Sequence, residues 1–201
     1  MPQDPRVVSS DSVCEAKADY PGADSEAPIV DALTTPTLTI GGGELRAWRE
    51  TDVDVLVSAW ADPDIAMWNS VPREPTASTA GRWIAGVADR QTQLLSIDWV
   101  IDVPAAGGVV GEVGLSGFNP AHNGAMIGYW LLPVGRGKGL ATAAVAAISE
   151  WAYATLGLDV IVARCHPNNP ASEAVVARVG YVNERTDSIG HQLWISRTLR
   201  T

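Results

Sequence analysis

The sequence predicts a mixed α/β fold built on a single sheet, a central antiparallel meander followed by a β-α-β-α-β run. Three stretches carry that reading. Leu94 to Ile101, Val109 to Leu115 and Met126 to Leu132 are rich in β-branched and aromatic residues and are separated by the turn clusters Asp102 to Gly108 and Asn119 to Gly124. Ile127 to Ala141 (IGYWLLPVGRGKGLA) then passes from an apolar strand through a basic, glycine-rich turn into an alanine-rich helix. Val160 to Cys165 follows as an apolar run interrupted only by Arg164, the pattern expected of a strand covered on both faces, as in a parallel pair.

Residues 1–35 form an acidic tail. Seven acids against two bases and four prolines, with no apolar periodicity, bury too little to offset the entropy of ordering, so this segment is expected to be disordered. The domain is expected over residues 36–201. Leu38 to Ile40 and Glu44 to Trp48 read as strands joined at Gly41-Gly42-Gly43. Thr51 is the expected cap of a helix from Asp52 to Ala61, with Val53, Leu56, Val57 and Trp60 at i, i+3, i+4 and i+7 facing inward and Pro63 ending it. Asp64 to Trp68 reads as a short helical turn and Asn69 to Thr76 as loop. Ser78 or Thr79 opens a further helix to about Arg90, with Trp83, Ile84 and Val87 inward.

Beyond the meander, a helix is expected over residues 138–156, with Gly157 as its left-handed terminator. His166 to Pro170 is loop and Ala171 to Val179 a short helix closed by Gly180. Tyr181 to Glu184 and Gln192 to Thr198 are the last strands.

Composition bounds the function. The chain has 201 residues, 46% hydrophobic and 18% charged, enough for one full core. Its net charge of −9 argues against nucleic-acid binding through a basic surface. No stretch approaches the roughly 20 apolar residues of a membrane span, and the N-terminus lacks a signal-peptide pattern, so a cytoplasmic location with no membrane partner is expected. Cys14 and Cys165 make no disulfide framework, and no metal-ligand spacing appears, so no metal is expected. A P-loop reading fails, because Leu132 stands where its first glycine belongs and Gly139 where its Ser or Thr belongs.

The glycine turn carries the chemistry. A helix's first N–H groups lack intrahelical partners and carry the positive end of its dipole, and glycines let an anion approach the backbone closely. Arg136 and Lys138 add charge beside Gly137 and Gly139, so this turn reads as a phosphate site.

In order and motif the chain resembles the GNAT superfamily of acyl-CoA-dependent N-acetyltransferases, and within it the RimJ/RimL-like branch. The likeness covers nearly all of residues 36–201. It rests on LRAWRETDVDVL (Leu45 to Leu56), WIAG (Trp83 to Gly86), GEVGLSGFNPA (Gly111 to Ala121), IGYWLLPVGRGKGLA and HPNNPASEAVVARVGY (His166 to Tyr181). The resemblance implies that the strand from Ile127 splays from its parallel neighbour and that acetyl-CoA, as acyl donor, lies in the wedge. Backbone of Trp130, Leu131 and Leu132 would then pair with pantetheine. Arg136, Gly137, Lys138, Gly139, Leu140 and Ala141 would hold the pyrophosphate, and Asn169 and Ser172 would lie near the pantetheine arm and its thiol. Asn169 and Ser172 also read as ordinary helix-capping residues.

Two positions depart from the family pattern: Val134 replaces a polar residue, and Met126 occupies the place where many relatives carry a glutamate base. The implied reaction is direct acetyl transfer to a primary amine in a ternary complex. The acceptor would be a protein N-terminus or a small molecule, and the protein a monomer or homodimer. Glu112 is the candidate base, ahead of His122 and Asp98; on an alternating strand it faces away from Val113 and Leu115, towards either solvent or the cleft. Ser172 or Tyr129 is the candidate acid. Trp68 and Trp130 are candidates for the border of the acceptor cleft. The alternative is a catalytically weak or inactive acyl-CoA-binding sensor or interaction module, motivated by Met126.

Overall fold

The computed structural model describes residues 35–198; residues 1–34 of the acidic tail, Cys14 among them, lie outside them. Eight strands form one sheet. They are β1 (Leu38–Ile40), β2 (Gly43–Arg46), β3 (Ser96–Val103), β4 (Gly108–Asn119), β5 (Gly124–Leu131), β6 (Val160–Cys165), β7 (Val182–Thr186) and β8 (Gln192–Arg197), in the order β1-β2-β3-β4-β5-β6-β8-β7. Every neighbouring pair is antiparallel except β5 and β6. The helices are α1 (Val53–Ala61), α2 (Pro63–Trp68), α3 (Ala77–Ala85), α4 (Val87–Thr92), α5 (Leu140–Thr155) and α6 (Pro170–Val179).

Alternation along β3 sorts the helices onto two faces. Ile97, Trp99 and Ile101 pack into a core shared with Ala144, Val145 and Ile148 of α5 and Val176 of α6, whereas Val100 packs with Leu56 and Trp60 of α1 and Ile84 of α3. Leu115, Ile148 and Ile161 are fully buried, and each such side chain contributes about 1.5–3 kcal/mol of transfer free energy.

Several boundaries differ from expectation, each for a local reason. Asp52, not Thr51, is the residue before α1, and it makes no side-chain cap to it. Its carboxylate instead reaches back to accept the Arg49 N–H at the start of the 3-10 turn over Glu50–Asp52 that leads into the helix. It also meets Arg46, which bridges Asp52 at 2.8 Å and Asp102 at 2.7 Å, all largely buried. Pro63 does end α1, and it simultaneously opens α2 as a first-turn proline, with the Asp62 carboxylate accepting the Ile65 N–H. Thr76 rather than Ser78 or Thr79 caps α3, with Thr79 completing a reciprocal capping box. The single helix expected to reach Arg90 is broken at Gly86 into α3 and α4. The first meander strand begins at Ser96, after Leu94 takes a positive φ of 54°. The helix expected from Lys138 begins at Leu140, because Gly137 and Gly139 are left-handed, with φ of 73° and 75°. The strand expected from Tyr181 begins at Val182, leaving Tyr181 to bury its ring and bond its hydroxyl to Ser149 Oγ at 2.8 Å.

Candidate active site

The parallel pair opens part-way along. Residues Gly124 to Ile127 pair with Val160 to Ala163, and there the register stops. From Gly128 to Leu131, β5 continues bonded only to β4 on its other side. The edge facing β6 is therefore unpaired over half the strand, and a cleft of about 790 Å³ opens beside it.

Four elements line this cleft. β5 supplies Tyr129, Trp130 and Leu131; the glycine turn and the start of α5 supply Arg136, Gly137, Gly139, Leu140, Ala141 and Thr142. From α6 come Ser172, Val175 and Arg178, with Asn169 before it, and from α2 come Asp64, Ile65 and Trp68. A Cβ built on Gly137 or Gly139 would meet no atom within 4 Å, so both glycines face open space at a helix N-terminus. This is what an anionic head group needs. The unpaired edge of β5 offers backbone groups to an amide-bearing arm.

Among the expected cofactor residues, two stand apart. Leu132 donates its N–H to Val110 at 2.8 Å, and Lys138 does not line the cleft. Arg136 lines it, but its guanidinium is already engaged. Nε donates to the Leu131 carbonyl at 3.0 Å, Nη2 meets Asp62 at 2.9 Å and Nη1 meets Asp64 at 2.6 Å. Burial works against the Asp62 charge, yet the Ile65 N–H and Arg136 together hold its carboxyl below the usual range.

Asn169 accepts the Ser172 N–H at 3.1 Å as the cap of α6. Ser172 Oγ lies 2.9 Å from Tyr129 Oη and 3.4 Å from Cys165 Sγ. The Tyr129 hydroxyl also donates to the Ser172 carbonyl at 3.0 Å. The two candidate acids are thus one hydrogen-bonded pair at the cleft wall. Burial pushes the Tyr129 phenol and the Cys165 thiol upwards, so both stay protonated near neutral pH.

Glu112 is not a solvated strand carboxylate. It points into the α1–α4 face opposite Val100, where Trp48 Nε1 donates to Oε2 at 3.1 Å and Trp130 Nε1 to Oε1 at 3.2 Å. Burial and the nearby Asp98 charge push it up to about 8, against the opposing pull of the two indoles and Arg90. Asp98, bonded to Ser96 Oγ at 2.7 Å and 3.7 Å from Arg90, is raised mainly by its own burial. Glu112 does not itself line the cleft; Trp130, which it holds, does. Met126 pairs across the sheet with Ser116 and Val162, and Met cannot accept a proton.

The sequence profile described as the acetyltransferase (GNAT) domain matches residues 44–182. The chain belongs to the GNAT acetyltransferase family. It is 26% identical over 155 residues to the uncharacterized N-acetyltransferase p20 of Bacillus licheniformis, covering 77% of this chain and 84% of that protein. Among solved structures, Mycobacterium smegmatis RimJ in complex with CoA-disulfide shares the fold with a TM-score of 0.71 at 22% identity, covering 81% of this chain and 86% of that one. The ribosomal-protein-S5-alanine acetyltransferase of Vibrio fischeri matches with a TM-score of 0.72 at 18% identity, covering 81% and 96%. This GNAT protein is accordingly an acyl-CoA-dependent acetyltransferase, and the splayed β5–β6 pair is its structural signature. No helix among the described residues is long and apolar enough to cross a membrane.

The segment from Asp64 to Thr76 is expected from the sequence to border the acceptor cleft, and Asp64, Ile65 and Trp68 do line it; sequence reasoning missed Arg178 and Thr142. Arg178 had a signal: Ala171, Ala174, Val175 and Arg178 fall at i, i+3, i+4 and i+7 and so share one face of α6. The pairing of Asp64 with Arg136 had none, since it joins residues 72 apart in sequence.

Proposed function

We propose that this acetyltransferase passes the acetyl group of acetyl-CoA directly to a primary amine in a ternary complex, the amine being a protein N-terminus or a small molecule. The observation that carries the reading is the loss of β5–β6 pairing beyond Ile127 and Ala163, directly above a cleft floored by a left-handed glycine turn and a 16-residue helix's N-terminus. Acetyl-CoA supplies an activated thioester. Gly137, Gly139 and the first N–H groups of α5 receive its pyrophosphate, with Arg178 adding charge on the cleft wall and Lys138 only from outside it, and the free edge of β5 at Trp130 and Leu131 receives its pantetheine. Asn169 orients Ser172 by capping α6.

The chain's own residues then divide the proton work. An amine attacks only when neutral, so a base must take its proton. Glu112 is the proposed base, acting through water past the Trp130 indole that it anchors. A carboxyl pushed up to about 8 matches an amine better than an ordinary one. A backbone N–H of the free β5 edge stabilises the developing oxyanion. Ser172 passes its proton to the departing thiolate as it takes one from the Tyr129 hydroxyl, which is in turn reprotonated from solvent in the cleft. The net charge of −9 favours approach of a cationic acceptor.

The test is CoA release followed across an amine panel, with mass-spectrometric identification of the acetylated product. Turnover with an amine, together with a loss of about 100-fold or more in kcat for Glu112→Gln at unchanged acetyl-CoA affinity, supports the assignment. Full activity of Glu112→Gln removes Glu112 from the reaction.

A further inference from the structure

Arg136 sits where two demands on one cation meet. Its side chain lines the cofactor cleft beside Gly137 and Gly139, yet its two terminal nitrogens are bound to Asp62 and Asp64 of the α1–α2 junction. The two carboxylates differ. Asp62 is largely buried, caps α2 through Ile65 and has a fixed place in the fold. Asp64 has a side chain 67% exposed, makes no capping bond and itself lines the cleft. Nε of Arg136 is pinned to the Leu131 carbonyl, so the guanidinium stays at the wall of the cleft whichever anion its outer nitrogens face.

We propose that Asp64 and the pyrophosphate of the acyl-CoA compete for the outer nitrogens of Arg136, which makes Arg136 a positioning residue shared by the cofactor turn and α2. This rests on the acyl-CoA reading of the cleft. Before the cofactor binds, Arg136 ties α2 to the turn, and with it Ile65 and Trp68, which form the opposite wall. When a diphosphate occupies the turn, two negative groups face one guanidinium within a single cleft. Asp64, the exposed and otherwise uncommitted partner, gives way, while Asp62 holds on through its cap. Cofactor affinity is thereby lowered by the cost of displacing Asp64, and α2 is loosened only in the loaded protein.

The direction of the effect is unusual, which makes it easy to separate from damage. Asp64→Asn removes the competing charge, so acetyl-CoA binds more tightly, by about two- to fivefold, the range expected of an exposed ion pair. The acceptor KM stays unchanged, because the acceptor meets the loaded protein, in which Asp64 has already let go of Arg136. S-acetylpantetheine, which has the thioester arm without the pyrophosphate, binds Asp64→Asn and the wild type equally. In the Arg136→Gln background, Asp64→Asn no longer tightens acetyl-CoA.

Isothermal titration of the full-length wild type, Asp64→Asn, Arg136→Gln and the double variant with both ligands reads the binding differences, and steady-state kinetics with the acceptor reads the KM. Tightening confined to acetyl-CoA and dependent on Arg136 establishes the competition. Unchanged or weaker acetyl-CoA binding by Asp64→Asn, with the wild type binding normally, overturns it and leaves the cofactor site standing. No binding by the wild type itself overturns the cofactor reading and the inference together.

Discussion

Replacing Glu112 with Gln turns the buried carboxyl into a thermodynamic probe. In the folded chain this group is pushed from its ordinary 4.5 to about 8, so between those values the native state holds a proton that the unfolded state has released. Stability therefore falls as pH rises through that window, the opposite of a salt-bridged carboxylate. Integrated from about pH 5 to about pH 9, the gap between 4.5 and about 8 corresponds to a loss of at most about 4 kcal/mol from this one group. The Gln variant does not titrate and escapes that loss. It has its own cost, because its amide N–H₂ must face one of the two indole N–H donors from Trp48 and Trp130, leaving a mismatch of about 1–3 kcal/mol. The two stability curves must then cross, wild type higher in mild acid and Glu112→Gln higher in mild alkali. Urea unfolding of both proteins at a series of pH values reads the difference directly, and subtraction cancels titrations common to both. Parallel curves, or a wild type that gains on the variant as pH rises, would refute the reasoning that burial and Asp98 outweigh the indoles.

Other consequences are independent of that stability difference. Arg46→Ala strands the carboxylates of Asp52 and Asp102, which are 7% and 17% exposed, and is expected to cost about 3–5 kcal/mol in urea unfolding. Asn169→Ala removes the cap of α6, lowering stability by about 1 kcal/mol, and also weakens acetyl-CoA binding in calorimetry, because Ser172 loses its orientation. Gly139→Asp sets a carboxylate at a position with φ of 75° facing open space; it abolishes acetyl-CoA binding while circular dichroism stays native, at a backbone cost of about 1–2 kcal/mol. If base catalysis runs through Glu112, kcat climbs as pH passes about 8, and that limb disappears in Glu112→Gln.

Much of this fold was legible because local pattern and tertiary role agree. The run from Val160 to Cys165 reads as a covered strand and lies between β5 and β8, although Arg164 within it turns outward to Asp187. The strand, glycine turn and helix of Ile127 to Ala141 need no distant partner to be recognised, since left-handed glycines and an alanine-rich helix are local properties. Helix starts were harder, because Thr51, Ser78 and Thr79 all have the chemistry of a cap. The choice of Asp52 and Thr76 depends on which backbone N–H groups the chain path brings within reach. The site's electrostatics were the least legible. Glu112 alternates with apolar neighbours like any solvated strand carboxylate, and only the fold places Trp48, distant in sequence, over its oxygen. The engagement of Arg136 by Asp62 and Asp64 is likewise invisible along the chain. Charge in the sequence says what a residue can bind, whereas topology decides what reaches it first.

The cleft between β5 and β6, in the function proposed for it, holds acetyl-CoA and delivers its acetyl group to an amine. Mass spectrometry of a cell lysate incubated with isotopically labelled acetyl-CoA, with the wild type and with Gly139→Asp, tests both halves at once. Labelled acetyl is expected on a defined amine with the wild type and none above background with the variant. Equal labelling by the two proteins would contradict the placement of the cofactor on the glycine turn, and no labelling by the wild type would contradict the proposed transfer.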